Sequence, residues 1–487
     1  MRIAKQRAAH GGALAVLAVF CMPSYAVQFE PCFLPAAGGG TMHAAECGTL
    51  EVAENPAATD GRRIGLRVVR VPARVPRDPD PLFIFAGGPG QAASEIYPQL
   101  AAALEKINRG RDIVLIDQRG TGGSNPLHCQ PLEDDVARPF DPTEVRQDAA
   151  RCRRELETIA DLRYYTTAQA MTDYDAVREA LGYEKINLWG GSYGTRAAQV
   201  YLRLYPDHVR RVVLDSVVPP RLALGTEHAP MLDHALRLIL DDCAADPACA
   251  AAYPDPAGDL AAVRERWSTA PHRVEVRAPR TGARQSMRAD RETLAGSIRL
   301  LAYSSVTQAL LPNLLHRAAG GEDEILLAQG LLAAERLTDE IARGMEASVM
   351  CSEDFPFFPA ALEQDETLTG NAQWQAIAAI CAAWPAGEVA ADFHEPRHSE
   401  VPVLLLAGER DPVTPPAYAD ETAVQFPASQ VVIVPGAGHL VLTTGCVPRL
   451  VAEFITAEDA AFSNLDTTCL DQQAAEPFFT TALGPQP

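Results

Sequence analysis

The apolar positions of this chain change rhythm twice. Over Arg63-Ile64-Gly65-Leu66-Arg67-Val68 apolar and polar side chains alternate, the period of an antiparallel strand with one face buried. Beyond the Pro-rich stretch from Pro72 to Pro81 the alternation gives way to short, largely apolar runs. These are Leu82 to Ala86, Ile113 to Ile116, Ile186 to Trp189, Val209 to Leu214, Val403 to Ala407 and Val431 to Val434. Runs of this kind belong to strands covered on both faces. Helical stretches lie between them, among them Met171 to Leu181 and Tyr193 to Tyr205. The succession predicts an α/β fold with a mostly parallel, doubly wound sheet.

The runs stop after Pro219-Pro220 and resume near Val401. The stretch between reads as helical and rich in Ala and Leu, as over Ala229 to Leu240 and Glu324 to Arg343, with a short hairpin around Arg273 to Arg288. A mainly helical cap inserted over the C-terminal edge of the sheet explains the gap. The return of the strand pattern favours insertion over an independent domain on a linker. The expected division is therefore a leader over 1–26, a first part of the core over 27–219, a cap over 220–399 and a second part of the core over 400–487.

The leader stands apart in composition. Arg2, Lys5 and Arg7 precede an apolar run from Gly11 to Phe20, and Ser24-Tyr25-Ala26 offers a small-x-small cleavage site, as in a secretory signal. The run is about half of the ~20 residues a spanning helix needs, so a membrane anchor is the weaker reading. Phe20 before Cys21 also argues against a lipid anchor there. Export to the periplasm or the medium is the expectation. The chain carries a formal charge of -21, and losing the leader makes it more acidic still, which argues against a nucleic-acid partner. Nothing in the composition speaks to oligomeric state.

Export also changes the reading of the cysteines. Ten follow Cys21, an even set that suggests disulfides in an oxidising compartment. Chain proximity groups them as Cys32-Cys47, Cys129-Cys152, Cys243-Cys249, Cys351-Cys381 and Cys446-Cys469. None has the spacing of a zinc site, so no metal is expected.

The candidate chemistry sits at the ends of the apolar runs. Gly190-Gly191-Ser192-Tyr193-Gly194 follows one strand and opens a helical stretch, the context in which a Gly-x-Ser-x-Gly turn lifts a serine hydroxyl above a sheet. The pentapeptide alone is only moderately specific. A weak nucleophile needs a base, and the base needs a group that fixes its tautomer. Asp411 lies just past the run ending at Ala407, and Gly436-Ala437-Gly438-His439 follows the run ending at Val434, in the chain order serine, acid, histidine. Ser192, His439 and Asp411 are thus the expected nucleophile, base and acid. Glu409 is the rival acid. His208 and His394 are read as surface or cap residues. Ala86-Gly87-Gly88-Pro89-Gly90 lacks bulky side chains, so the backbone N–H groups of Gly88 and Tyr193 are the expected oxyanion donors. No cofactor is required.

These motifs, together with Asp117-Gln118-Arg119-Gly120-Thr121-Gly122-Gly123-Ser124 and Asp411-Pro412-Val413-Thr414-Pro415, resemble the proline iminopeptidase and tripeptidyl aminopeptidase family of α/β-hydrolases. The resemblance extends from about Cys32 to Cys469. It departs at Ala86, where members usually carry His. It implies removal of residues from peptides with a free N-terminus, and a helical cap whose carboxylates bind the α-ammonium. Met350-Cys351-Ser352-Glu353-Asp354-Phe355 resembles the family's cap segment, which points to Glu353, with Asp354 second, as that anchor. A solvated acidic pair is the plain alternative. Asp117 and Arg119 are expected to be structural, through an internal ion pair or backbone bonds. Two readings of function compete with the peptidase: an esterase using the same machinery, and a silent secreted binding module.

Overall fold

A computed structural model describes residues 27–36, 40–58, 60–129, 140–360, 364–458, 464–481 and 484–485. The expected leader lies outside the described residues. Eleven strands form among them: β1 (Glu30–Pro35), β2 (Met42–Ala53), β3 (Arg63–Val71), β4 (Leu82–Phe85), β5 (Ile113–Ile116), β6 (Ile186–Gly191), β7 (Val209–Asp215), β8 (His272–Arg277), β9 (Arg284–Ala289), β10 (Val403–Gly408) and β11 (Ser429–Val434).

Nine of them make one sheet in the order β1-β2-β3-β5-β4-β6-β7-β10-β11. The first three strands and the β3–β5 contact are antiparallel, and every pairing from β5 to β11 is parallel. The apolar runs explain the parallel part. Successive side chains of a strand point to opposite faces. In β4, Phe83 and Phe85 join one buried cluster while Leu82 and Ile84 join another on the opposite face. β5 divides in the same way, with Val114 and Ile116 on the first face and Ile113 and Leu115 on the second. Helices cover both faces, so both sets are apolar, and the one buried amide of β6, Asn187, is held by Asp80 and the Pro81 carbonyl. β1 and β2, by contrast, are mostly exposed or half-buried, with Leu34, Ala45 and Leu50 as their buried positions, and a disulfide between Cys32 and Cys47 staples them.

Between β7 and β10 the chain is mainly helical. Its longer helices are His228–Ala245, Pro256–Thr269, Arg291–Leu301, Ser305–Ala319 and Asp323–Glu340, and β8 and β9 form its one antiparallel hairpin among the described residues. This segment buries a cluster of its own, centred on Trp267, Ile298, Leu311 and Leu315. It also reaches back to the sheet: the Ala342 amide donates to the Gly90 carbonyl at 3.0 Å. The ten cysteines that follow the leader join as Cys32–Cys47, Cys129–Cys152, Cys243–Cys249, Cys351–Cys381 and Cys446–Cys469. Among the described residues no helix is long and apolar enough to cross a membrane.

Candidate active site

β6 ends in a turn that only small residues permit. A Cβ on Gly190 would lie 2.2 Å from the Gly194 carbonyl oxygen, and one on Gly194 would lie 2.1 Å from that of Phe85. Ser192, between them, adopts φ 57° and ψ -124°, a region costly for any residue with a side chain. The turn persists because its surroundings hold it: the Ser192 amide donates to the Asp215 carbonyl at 2.9 Å and the helix Tyr193–Leu204 starts at once. The hydroxyl of Ser192 opens onto a cavity of 770 Å³.

The loops after β10 and β11 meet beside this turn. His439 Nδ1 lies 2.8 Å from Asp411 Oδ2, with both side chains almost fully buried. Asp411 also accepts from the Val413 and Thr414 amides and the Thr414 hydroxyl. Burial alone would raise its pKa. The His439 charge and hydrogen bond, with the two amides, outweigh that and hold it below the ordinary carboxylate range. An ionised Asp411 fixes the histidine proton on Nδ1 and leaves Nε2 as the basic nitrogen.

The histidine loop is anchored to the same strand end as the serine turn. Asp215, at the end of β7, accepts from the Val441 and Leu442 amides, and Ser216 accepts from the Leu440 amide. Leu440 packs within 3.0 Å of where a Cβ of Gly191 would sit. From the inserted segment, the Tyr303 carbonyl accepts the His439 amide at 2.8 Å and its ring meets the imidazole edge-on at 5.1 Å. Ser192 Oγ itself has no hydrogen-bond partner among the described residues.

Gly88, at φ 108° beside the cavity, donates its N–H to no acceptor among the described residues. Tyr193 heads its helix, where the amide has no carbonyl of a preceding turn. Both residues border the Ser192 cavity.

A family model described as the alpha/beta hydrolase fold matches residues 80–445. The chain belongs to that family. Among curated relatives of this α/β-hydrolase, a tripeptidyl aminopeptidase of Streptomyces lividans is 34% identical over 191 residues, covering 36% of this chain and 36% of that protein. The match to this relative therefore spans little more than a third of its length. The serine protease Hip1 of Mycobacterium tuberculosis is 24% identical over 453 residues, 84% of each chain. Carboxylesterase B of the same species is 29% identical over 226 residues, 42% of this chain and 43% of its own.

Other candidates of this hydrolase fall differently. Glu353 and Asp354 are not at the cavity. They sit in a single π-helical turn, Met350–Asp354, and both are fully buried. Neither is placed as the expected ammonium anchor: three of their four carboxylate oxygens bond within the fold, and Asp354 Oδ2 is buried without a partner. Glu353 accepts from the Thr167 amide at 2.5 Å and the Thr167 hydroxyl at 2.7 Å. Asp354 pairs with Arg196 at 2.7 Å and accepts from the Leu224 amide. Burial pushes the Glu353 carboxyl up to about 7 against the opposing pull of Arg196 and Thr167. Thr167 then relays contact to the hydroxyl of Tyr193 at 2.6 Å, so Glu353 braces the residue after Ser192 from behind.

Asp117 and Arg119 do not pair with each other. Asp117 accepts from Ser94 and Gly123, tying the Asp117–Ser124 loop to the helix Ala93–Leu100, whereas Arg119 forms a two-pronged pair with Asp173 at 2.6 and 2.8 Å. Glu409 accepts the Gly436 amide, and so braces the turn before His439. His208 faces Asp175, and His394 lies between the carbonyls of Pro220 and Glu353. Asp215, Ser216 and Tyr303 were not expected. The first two follow the apolar run of β7 directly, which was a legible signal. Tyr303 had none, since its place depends on how the inserted helices fold back.

Proposed function

We propose that this chain is an exported serine peptidase that removes residues from the free N-termini of peptides by acyl transfer. Ser192 attacks the scissile carbonyl as His439 takes its proton, Asp411 stabilises the resulting imidazolium, and the Gly88 and Tyr193 amides receive the developing oxyanion. His439 then protonates the leaving amine, and water releases the acyl group. The carrying observation is the buried His439–Asp411 pair held beside a serine on a turn of positive φ. Five disulfides support an oxidising destination. The peptidase names of two relatives support the substrate class.

An esterase is the second reading, favoured by one relative's name and by a cavity whose described carboxylates, Asp148 and Glu346, each already face an arginine. A free-amine tripeptidyl amide compared with its N-acetylated twin separates the two. The peptidase reading expects the acetylated twin to be cleaved at least tenfold more slowly. Equal rates on both would remove the exopeptidase claim and leave the hydrolase.

A further inference from the structure

The cavity over Ser192 is short of an anion. Among its described lining residues are three arginines, Arg151, Arg299 and Arg343, and two carboxylates, Asp148 and Glu346. Arg151 donates to Asp148 at 3.1 Å and Arg343 to Glu346 at 2.8 Å. Arg299 is left over. One terminal nitrogen donates to the Tyr303 hydroxyl at 3.3 Å, the guanidinium carbon lies 5.9 Å from the centre of that ring, and the buried Nε has no acceptor. A guanidinium stays charged in a protein interior. Arg299 is half-buried, and a buried donor of a charged group left without an acceptor is costly unless a ligand supplies one.

His228 repeats the shortage. The Gln373 side-chain nitrogen lies 3.0 Å from His228 Nδ1. An amide nitrogen only donates, so Nδ1 accepts and the ring proton sits on Nε2. That Nε2 is buried and has no acceptor. Burial, with the nearby Arg299 charge, drives the imidazole pKa down to about 3, which keeps the ring neutral and a donor. Arg299 lies close to the candidate base: Tyr303, which receives it, also holds His439 through its carbonyl and its ring, and His228 lines the same cavity.

We infer that Arg299, with His228 beside it, is a specificity determinant that receives a carboxylate of the substrate. The inference rests on the peptidase reading and narrows it to peptides that bring a carboxylate close to the scissile bond. Two sources share this chemistry: an acidic side chain in the acyl part, or the C-terminal carboxylate of a short leaving peptide. Charge-assisted bonds to the anion, and unpaired donors left by its neutral isostere, act in the same direction.

The test uses two matched pairs of peptides with the full chain. One pair carries Glu or Gln in the acyl part of a fluorogenic amide. The other ends its leaving peptide in a free carboxylate or an amide. In one pair the carboxylate member should lead by about ten- to a hundredfold in kcat/KM, mostly through KM, and the pair that shows this identifies the source. Arg299→Gln should bring the ratio close to one, and Arg299→Lys should restore part of it. Ratios near one in both wild-type pairs, or a preference that survives Arg299→Gln, would overturn the proposal. If none of the four peptides is cleaved while a fluorophosphonate still labels Ser192, the peptidase reading has failed by itself. Arg299 is then judged by whether the carboxylate peptides slow that labelling more than the neutral ones. No difference there would also overturn it.

Discussion

Asp411 and Glu353 are equally sealed from water, with 1% and 0% of their surface exposed, yet the fold does opposite things to them. Asp411 receives two amides, a hydroxyl and a histidine, and is held below the usual carboxylate range. Glu353 receives two bonds, both from Thr167, and its pKa is pushed up to about 7 by burial. The nearest cation, Arg196, bonds Asp354 instead. Burial penalises charge in both places, and the donors supplied decide which carboxylate keeps it. The loop after β10 thus keeps an ion beside His439, the role the proposed mechanism gives it. The turn Met350–Asp354 is a structural knot that joins the inserted segment to the helix Thr167–Ala180.

This contrast is sharpest in turnover. Under the proposed mechanism, Asp411→Asn should lower kcat by about 10⁴, because the histidine loses its tautomer, whereas Glu353→Gln should cost less than about tenfold, as expected of a group one residue removed from the proposed oxyanion donor. Steady-state kinetics on any cleaved substrate measures both. Equal losses would erase the distinction drawn here.

The next effect is on stability within the knot itself. Asp354→Ala strands Arg196 as a buried charge and should cost about 3–5 kcal/mol, read from denaturant midpoints. Glu353→Gln leaves no ion unpaired and should cost far less. A smaller effect concerns pH. Folded Glu353 keeps its proton up to about pH 7, against an ordinary value of 4.5. Its contribution to stability is therefore complete below pH 4.5 and lost as the pH rises through 7. Glu353→Gln should flatten the stability profile across that window, and an unchanged slope would show that Glu353 does not titrate there.

The core was legible because its physics is local. A strand buried on both faces is mostly apolar, so β4, β5 and β10 were visible as unbroken runs and β6 and β7 as runs interrupted by Asn187 and by Arg210 and Arg211, and the residues just past β6, β10 and β11 were legible as candidates. The chain ends of β11 and β7 extended one or two residues beyond the runs, to Ser429 and Asp215, because backbone pairing continues where the apolar pattern stops. β1 and β2 escaped notice, since half-exposed strands at a sheet edge carry mixed side chains. The placement of Glu353 was not legible. Its neighbours in sequence look like an acidic surface pair, and only the return of the inserted segment against Thr167 and Arg196 makes them interior. Arg299 was missed for a related reason: an arginine on an amphipathic helix looks solvated until the helix is seen to border a cavity.

The convergence of Ser192, His439 and Asp411 is tested most directly by locating a covalent adduct. The folded protein is treated with a fluorophosphonate, digested and sequenced by mass spectrometry, with His439→Ala alongside. One adduct per chain, on Ser192 and lost or slowed by orders of magnitude in the variant, is the expected result. A folded wild-type protein that takes no label, or takes it at another residue, would contradict the account.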